Sequence, residues 1–218
     1  MPLAVADIDW SAILAVFLVV YSIILHEIAH GYAALRFGDE TALRNDRLTL
    51  NPIQHIDPIG TIIFPLVQYL STGHVYLGWA KPVPVNPYNL EPRTAGEIVV
   101  AVAGVTVNLL IAVLMAALLG FHRGNLAPVF ANVLFANVAL ALFNLVPIPP
   151  LDGSHVVAKF LPRGLREQYE QIGFYGIFII LLLNAQGTLG RLLDPLMERV
   201  IDLLIRGISI PIRGLIAR

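Results

Sequence analysis

The sequence predicts an all-α polytopic membrane protein with about four to six membrane segments and one re-entrant, β-hairpin-like element. Three observations predict it. Hydrophobic residues fill 57% of the 218 positions and charged residues only 13%, where a soluble domain carries about 25% charged residues. Mean hydropathy is +0.75. Apolar runs recur along the chain, several of them near the roughly 20 residues that a crossing needs. Net charge is −1, which leaves no nucleic-acid footprint. With no cysteine there is no disulfide and no thiolate, so any zinc must take nitrogen and oxygen ligands. The N-terminal MPLAVADIDW lacks a basic n-region, so the first apolar run is expected to stay in the mature protein. No repeat or low-complexity tract is present. One domain over residues 1–218 is expected, with a core at 8–160 and an amphipathic helical tail at 187–218.

Ile8 to Phe37 gives the first span, interrupted near its end by HEIAH. Residues 38–57 are polar, with Arg44, Asp46, Arg47, His55 and Asp57. PIGTIIFPLVQYL, residues 58–70, is apolar but short for a crossing. Residues 71–96 are broken by prolines and glycines. Two further spans follow at about 97–120 and 127–146, joined by HRGN, and another apolar run at about 172–185. In 188–207, Leu189, Leu192, Leu193, Leu196, Val200, Leu203 and Leu204 recur at helical spacing, with charges between them. This helix is expected to lie in the membrane interface or against the bundle.

Lysine and arginine set the orientation. None precedes the first span, while Arg36, Arg44 and Arg47 follow it. The N-terminus is therefore expected outside and HEIAH at the cytoplasmic end. Arg123 alone marks the 120s loop, and Lys159, Arg163 and Arg166 follow Val146, which puts LDG on the cytoplasmic side too. Residues 57–96 must then enter and leave on one side. Irregular backbone survives at membrane depth only where protein buries it or water reaches it, so this segment is expected to line a cavity.

On a helix, His26 and His30 share a face and both imidazoles can reach one ion. Glu27 lies three residues before His30, where it can contact a bound water without ligating the metal. Zinc lowers the pKa of such a water to about 7, and a glutamate can take its proton. A chance polar contact between helices is the alternative. Against it, each ionisable group deep in a span costs about 2.5–3.5 kcal/mol on insertion scales, and three within five residues need a common reason. A catalytic zinc keeps three protein ligands and one open position. Asp152 is the candidate third ligand. The PIPP before it ends the preceding helix, and the carboxylate then falls at the cytoplasmic end of a span, level with HEIAH. Read alone, LDG is an ordinary turn.

HEIAH, NPIQHIDPIG, GWAKPVPVNP, AGVTVN and FNLVPIPPLDG occur in this order over roughly residues 20–160. In this the chain resembles the site-2 protease family of intramembrane zinc metalloproteases, most closely its compact prokaryotic branch without PDZ or CBS domains. The resemblance implies one zinc held by His26, His30 and Asp152, with Glu27 as general base and Asn144 helping to polarise the scissile carbonyl. It implies proteolysis within or beside the bilayer, acting on single-span membrane proteins, and a multi-pass location with the active site towards the cytoplasm. A homo-oligomer is compatible with it. His155 departs from the residues that usually follow the aspartate motif.

Asn108, His55, Trp79 and Lys81 are further candidates for substrate binding. For Asn132 and Asn137 hydrogen bonding between helices is the preferred reading, worth about 1 kcal/mol each. Asn51 and Asp57 are read as turn formers before proline, and Ala101, Ala103 and Gly104 as close-packing positions. Alternating Val75, Leu77 and Trp79 make 74–88 a candidate strand edge for an extended substrate, kept at an edge by Pro82 and Pro84. The rival functions are a non-catalytic zinc-binding membrane protein, such as a transporter, and a membrane-protein chaperone. Glu27 discriminates against the first, because a transporter needs no carboxylate beside a metal-bound water, and zinc content together with loss of cleavage in Glu27→Gln separates all three.

Overall fold

The computed structural model describes residues 9–73, 78–122 and 124–216, and every regular element among them is helical. Helix α1 (Trp10–Arg36) is capped by Asp9, whose carboxylate accepts from the Ser11 and Ala12 amides. The short α2 (Thr41–Arg44) and a 3-10 turn (Pro52–His55) follow. Helix α3 opens as a π-helical Pro58–Ile63 and continues as Phe64–Thr72. Asn51 and Asp57 do form turns: each side chain accepts backbone amides just beyond the following proline. Then come α4 (Arg93–Phe121), α5 (Ala127–Asn144), α6 (Asp152–Ala158), α7 (Arg163–Ile172) and α8 (Gly176–Ala185). Helix α9 (Thr188–Leu204) runs through a π-helical Ile205–Ser209 into α10 (Ile210–Ile216).

Three helices, α1, α4 and α5, are long and apolar enough to cross a membrane. A fourth span exists if Gly176–Ala185 and Thr188–Leu215, bent by 81°, count as one broken crossing. Gly187 supplies the bend with a φ of +67°. The apolar helix Pro58–Ser71 is shorter. Helix α4 is the central member. Its buried residues include Ala101, Gly104, Val105, Asn108, Ala112, Met115, Ala116, Leu119 and Gly120, a stripe at three- and four-residue steps. Small residues on that stripe let neighbouring helices come close, which drives helix association in lipid. Ala112, Met115, Ala116 and Leu119 pack with Ala15 of α1 and with Val129, Val133, Leu134 and Val138 of α5. Met197, Val200, Ile201, Leu204, Ile205 and Ile208 close over this core. The C-terminal helix therefore packs against the bundle, and Arg191, Glu198, Arg199, Asp202 and Arg206 stay exposed on its other side.

Residues 78–86 form an extended strap across the end of α1, and no strand pairing occurs among the described residues. Its amides find other partners. Trp79 N–H donates to Gly60 O (3.1 Å), Lys81 N–H to His55 O (2.9 Å), Val83 N–H to Glu27 Oε2 (2.9 Å) and Asn86 N–H to Asp39 Oδ2 (2.7 Å). Pro82 and Pro84 have no N–H to give. Of the expected strand edge, Val75 and Leu77 lie outside the described residues, as does Arg123 in the loop before α5.

Asp39 anchors the far end of the strap. It is fully buried, and accepts from Thr41 N–H and Oγ1, Asn86 N–H and Asn89 Nδ2 at 2.5–3.1 Å. Burial opposes its ionisation, but these hydrogen bonds prevail and hold its carboxyl below the usual range. The stability they give is therefore complete above about pH 4 and is lost as pH falls through the depressed folded value. Asp39→Asn, which keeps one acceptor oxygen, is expected to lower the melting temperature at pH 7 by about 2–6 °C. Its melting temperature should then fall less steeply than the wild type's below pH 4. Parallel pH curves for the two proteins would show that Asp39 carries no such linkage.

Candidate metal centre

Ser22, His26, His30 and Ala34 form one buried row along α1, each one turn from the next. Facing them on α4 are Val100, Gly104 and Asn108. A Cβ at position 104 would lie 2.5 Å from His26 Cε1 and 2.6 Å from His30 Nε2, so only glycine leaves room for both rings. Each ring is oriented through its Nδ1. That of His30 lies 2.7 Å from Val100 O, a pure acceptor, so Nδ1 carries the proton and Nε2 a lone pair. That of His26 lies 3.1 Å from Asn108 Oδ1, which directs its Nε2 the same way.

Asp152 arrives from the opposite end of the sequence. Helix α5 stops at Asn144 and the chain turns through PIPPL before α6 begins on Asp152 itself. Several contacts fix this turn. Gly153 sits so close to Leu145 O, and Gly176 of α8 so close to Pro149 O, that any Cβ would overlap them. Tyr169 of α7 donates its hydroxyl to Pro147 O at 2.8 Å. Just past α6, the buried side chain of Lys159 pairs with the buried Glu97 of α4. Glu97 also holds Arg93 at 2.9 Å, and Arg166 of α7 approaches it to 3.7 Å.

The result is one convergence point. His26 Nε2 and His30 Nε2 lie 3.1 Å apart, and Asp152 Oδ2 lies 3.3 and 3.4 Å from them. Asp152 Oδ2 is buried without a hydrogen-bond partner. Two nitrogen lone pairs and an anionic oxygen facing one another repel unless a cation lies between them. The spacing fits such an ion: a tetrahedron with bonds of about 2.0–2.1 Å has edges of about 3.3 Å. Nitrogen and carboxylate oxygen are also the donors zinc takes in hydrolytic sites. These residues form the one His/Asp/Glu group of this kind among the described residues. Glu27 lies outside that group. Its Oε2 is held by Val83 N–H, and its other oxygen has no hydrogen-bond partner among the described residues.

The other sequence candidates separate. Asn108 is at the centre, orienting His26, with its Nδ2 unpartnered. Asn144 is half-buried and donates to Leu140 O in its own helix at 3.0 Å. His55 is buried, but its ring contacts Thr49 O at 2.8 Å and not the histidine pair. Trp79 packs on Gly60 and on the Phe64 ring. The backbone of Lys81 is pinned on both sides, by His55 O and by Arg47. His155 is exposed. Asn137 bonds Ser22 Oγ at 3.0 Å, joining α5 to α1 as expected of an interhelical amide. Glu97, Tyr169, Gly176, Asp39 and the carbonyl of Val100 carry no sequence signal of their roles. The one cue was the density of charge around Lys159 and Arg166, read only as orientation.

The model of peptidase family M50 matches residues 121–184, the stretch that carries the Asp152 turn. The protein YwhC of Bacillus subtilis, provisionally named a zinc metalloprotease, is 38% identical over 183 residues, covering 78% of this chain and 80% of its own length. Two proteins provisionally named as the zinc metalloprotease Rip2 are also similar. That of Mycobacterium tuberculosis H37Rv is 34% identical over 75% of this chain and 64% of its own length. That of Mycolicibacterium smegmatis is 28% identical over 78% of this chain and 66% of its own length. No solved structure matches the chain significantly. On the strength of this relationship to YwhC, and with three apolar spans around a histidine–aspartate cluster, the chain belongs to peptidase family M50, the site-2 proteases, and is a membrane metallopeptidase.

Proposed function

We propose that this chain hydrolyses peptide bonds in or beside the transmembrane segments of single-span membrane proteins, from a site that opens to the cytoplasm. The tetrahedral spacing of His26, His30 and Asp152, with Glu27 beside it inside an apolar bundle, carries the reading. These three residues would hold one zinc, which when bound supplies Lewis-acid polarisation and a more acidic water. Glu27 acts as general base. Val83 N–H fixes one carboxylate oxygen and leaves the other to take the proton of the attacking water and pass it to the leaving nitrogen. Asn144 uses one amide N–H on Leu140 O and has a second to offer a developing oxyanion.

The topology that fits is re-entrant for residues 57–96. Helix α3 is short, and the strap bonds back to Glu27 and Asp39 at the end of α1. Glu91 N–H, just before α4, donates to Phe37 O, just after α1. The end of α1 and the start of α4 thus lie at one level, and the lysines and arginines near it support a cytoplasmic side. A substrate helix must unwind before its carbonyl is reached. Within 79–86 most strap amides are engaged, so an added substrate strand would pair with strap carbonyls.

Purified protein is expected to hold one zinc per chain by elemental analysis. Asp152→Ala removes a ligand, and Gly104→Ala pushes a methyl into both rings; each should lower zinc affinity by at least 10–100-fold and stop cleavage. Stoichiometric zinc in both variants would remove this site from the metal. Glu27→Gln should keep the zinc yet lose about 10²–10⁴-fold in cleavage, and near-normal turnover would exclude Glu27 as the base. For topology, single cysteines at the exposed positions Arg44, Arg93 and Arg163 should react with an impermeant thiol reagent from the cytoplasmic face, and one at Asn125 only from outside. Labelling of Arg44 and Arg93 from opposite faces would make residues 57–96 a crossing.

A further inference from the structure

Beside the strap lies a cavity of about 450 Å³ lined by Asn45, Arg47, Gln54, Lys81, Pro82 and Pro84. Two of these residues are cations and none is acidic. Arg47 is only 7% exposed. Its Nη2 donates to Lys81 O at 2.9 Å, and its buried Nε has no partner. Among the described residues, no carboxylate pairs with Arg47 or Lys81, whereas Arg44, Arg93, Lys159, Arg166 and Arg206 all have one. A guanidinium held out of water without an anion is costly, and its planar fork of donors fits a carboxylate. The strap wall adds a constraint. Pro82 and Pro84 donate nothing, and the amide of Val83 between them is held by Glu27. A peptide seated here is therefore recognised through side-chain charge and not by N–H donation from the wall.

We propose that this cavity is a specificity subsite for a carboxylate side chain, Asp or Glu, of the polypeptide being cut, bound by Arg47 and Lys81. The subsite rests on the protease reading. Its wall is the segment that fixes the catalytic base, so an acidic residue bound here sets which peptide bond reaches Glu27. A lipid headgroup phosphate shares the anion chemistry, but its binding would not be tied to the position of a cut.

Two measurements test this on the full-length, zinc-loaded protein in neutral detergent. The first maps cleavage sites in a detergent-solubilised library of proteome-derived peptides. Wild type is expected to enrich Asp or Glu at one fixed distance from the cut. Lys81→Gln should weaken that preference about 5–10-fold, and Lys81→Glu should turn it towards Lys and Arg. Cleavage with no acidic preference, or the same preference in all three proteins, overturns the subsite while leaving the protease. The second is independent of cleavage. Thermal stabilisation is followed with acetyl-glutamate methylamide, acetyl-glutamine methylamide, inorganic phosphate and phosphatidylglycerol nanodiscs. The glutamate probe alone is expected to protect saturably, with protection lost in Lys81→Gln and kept in Arg47→Lys, which retains the buried charge if Arg47→Gln fails to fold. Equal effects of glutamate and glutamine, or protection by phosphate or phosphatidylglycerol alone, overturn it. Glutamate-specific protection in a protein that cuts nothing would support the anion site and sink the protease reading.

Discussion

Three acceptor atoms, one of them negatively charged, meet at a single point between α1, α4 and α6, inside a bundle that has little else polar to offer them. Without a cation this convergence is repulsive, and in an apolar surround the repulsion is poorly screened. Much of the nearby architecture serves to hold it. Glycine at 104 removes the side chain that would occupy the space of the two rings. Val100 O and Asn108 take the outer ring protons, so that the inner nitrogens present lone pairs. The row Ser22–His26–His30 lies on the buried face of α1, and Asn137 bonds Ser22 one turn away, so polar groups pair with each other and not with lipid.

The histidines need only helical spacing to meet, but the aspartate needs a tertiary device. Asp152 opens a seven-residue helix, and so short a helix has little stability of its own. Its position comes from the turn before it, pressed between Gly153, Gly176 and Tyr169, and from Lys159 after it, tied to Glu97 on the same helix that carries Gly104 and Asn108. Buried ion pairs give little net stability, because desolvating both charges offsets their attraction. Their value here is register. One carboxylate that binds cations from α4, α7 and the end of α6 fixes where Asp152 stands relative to the histidines.

What the sequence revealed follows from how local each signal is. HEIAH is legible because i, i+4 spacing on a helix settles which side chains meet. The spans are legible because about 20 apolar residues have few alternatives. Asp152 was found through its place after a proline-ended span. Asp39 and Glu97 were not, since a charged residue after a helix looks the same in sequence whether it is solvated or fully buried. His55 and Asn144 each sit in a motif-like stretch. Yet the structure engages them with Thr49 and Leu140, within six residues along the chain. The amphipathic period of the tail was plain, but its docking on Met115, Leu119 and Val133 depends on partners more than 60 residues away. Residues 74–88 read as a strand edge because Val75, Leu77 and Trp79 alternate in the sequence. What fills the strap's hydrogen bonds is a set of side chains and loop carbonyls that no local pattern encodes.

The way Glu27 is held explains why the strap carries prolines on both sides of Val83. Glu27 is positioned by a main-chain donor, Val83 N–H, so any non-proline residue at 83 can supply the bond. What must be fixed is the direction of the peptide plane. Proline on either side restricts φ near −65° at 82 and 84 and biases the residues before them towards extended backbone. The strap therefore loses little conformational freedom when it docks. The Val83 side chain then packs against α1 where Gly31 leaves space: a Cβ there would lie 2.9 Å from Val83 Cγ1. Gly31 is one residue past His30 and one helical turn past Glu27, so the surface that receives the strap belongs to the same two turns of helix that carry His26 and His30. Glu27 and the two histidines thus share one rigid element, and the distance between them is set by the pitch of α1 and not by a loop.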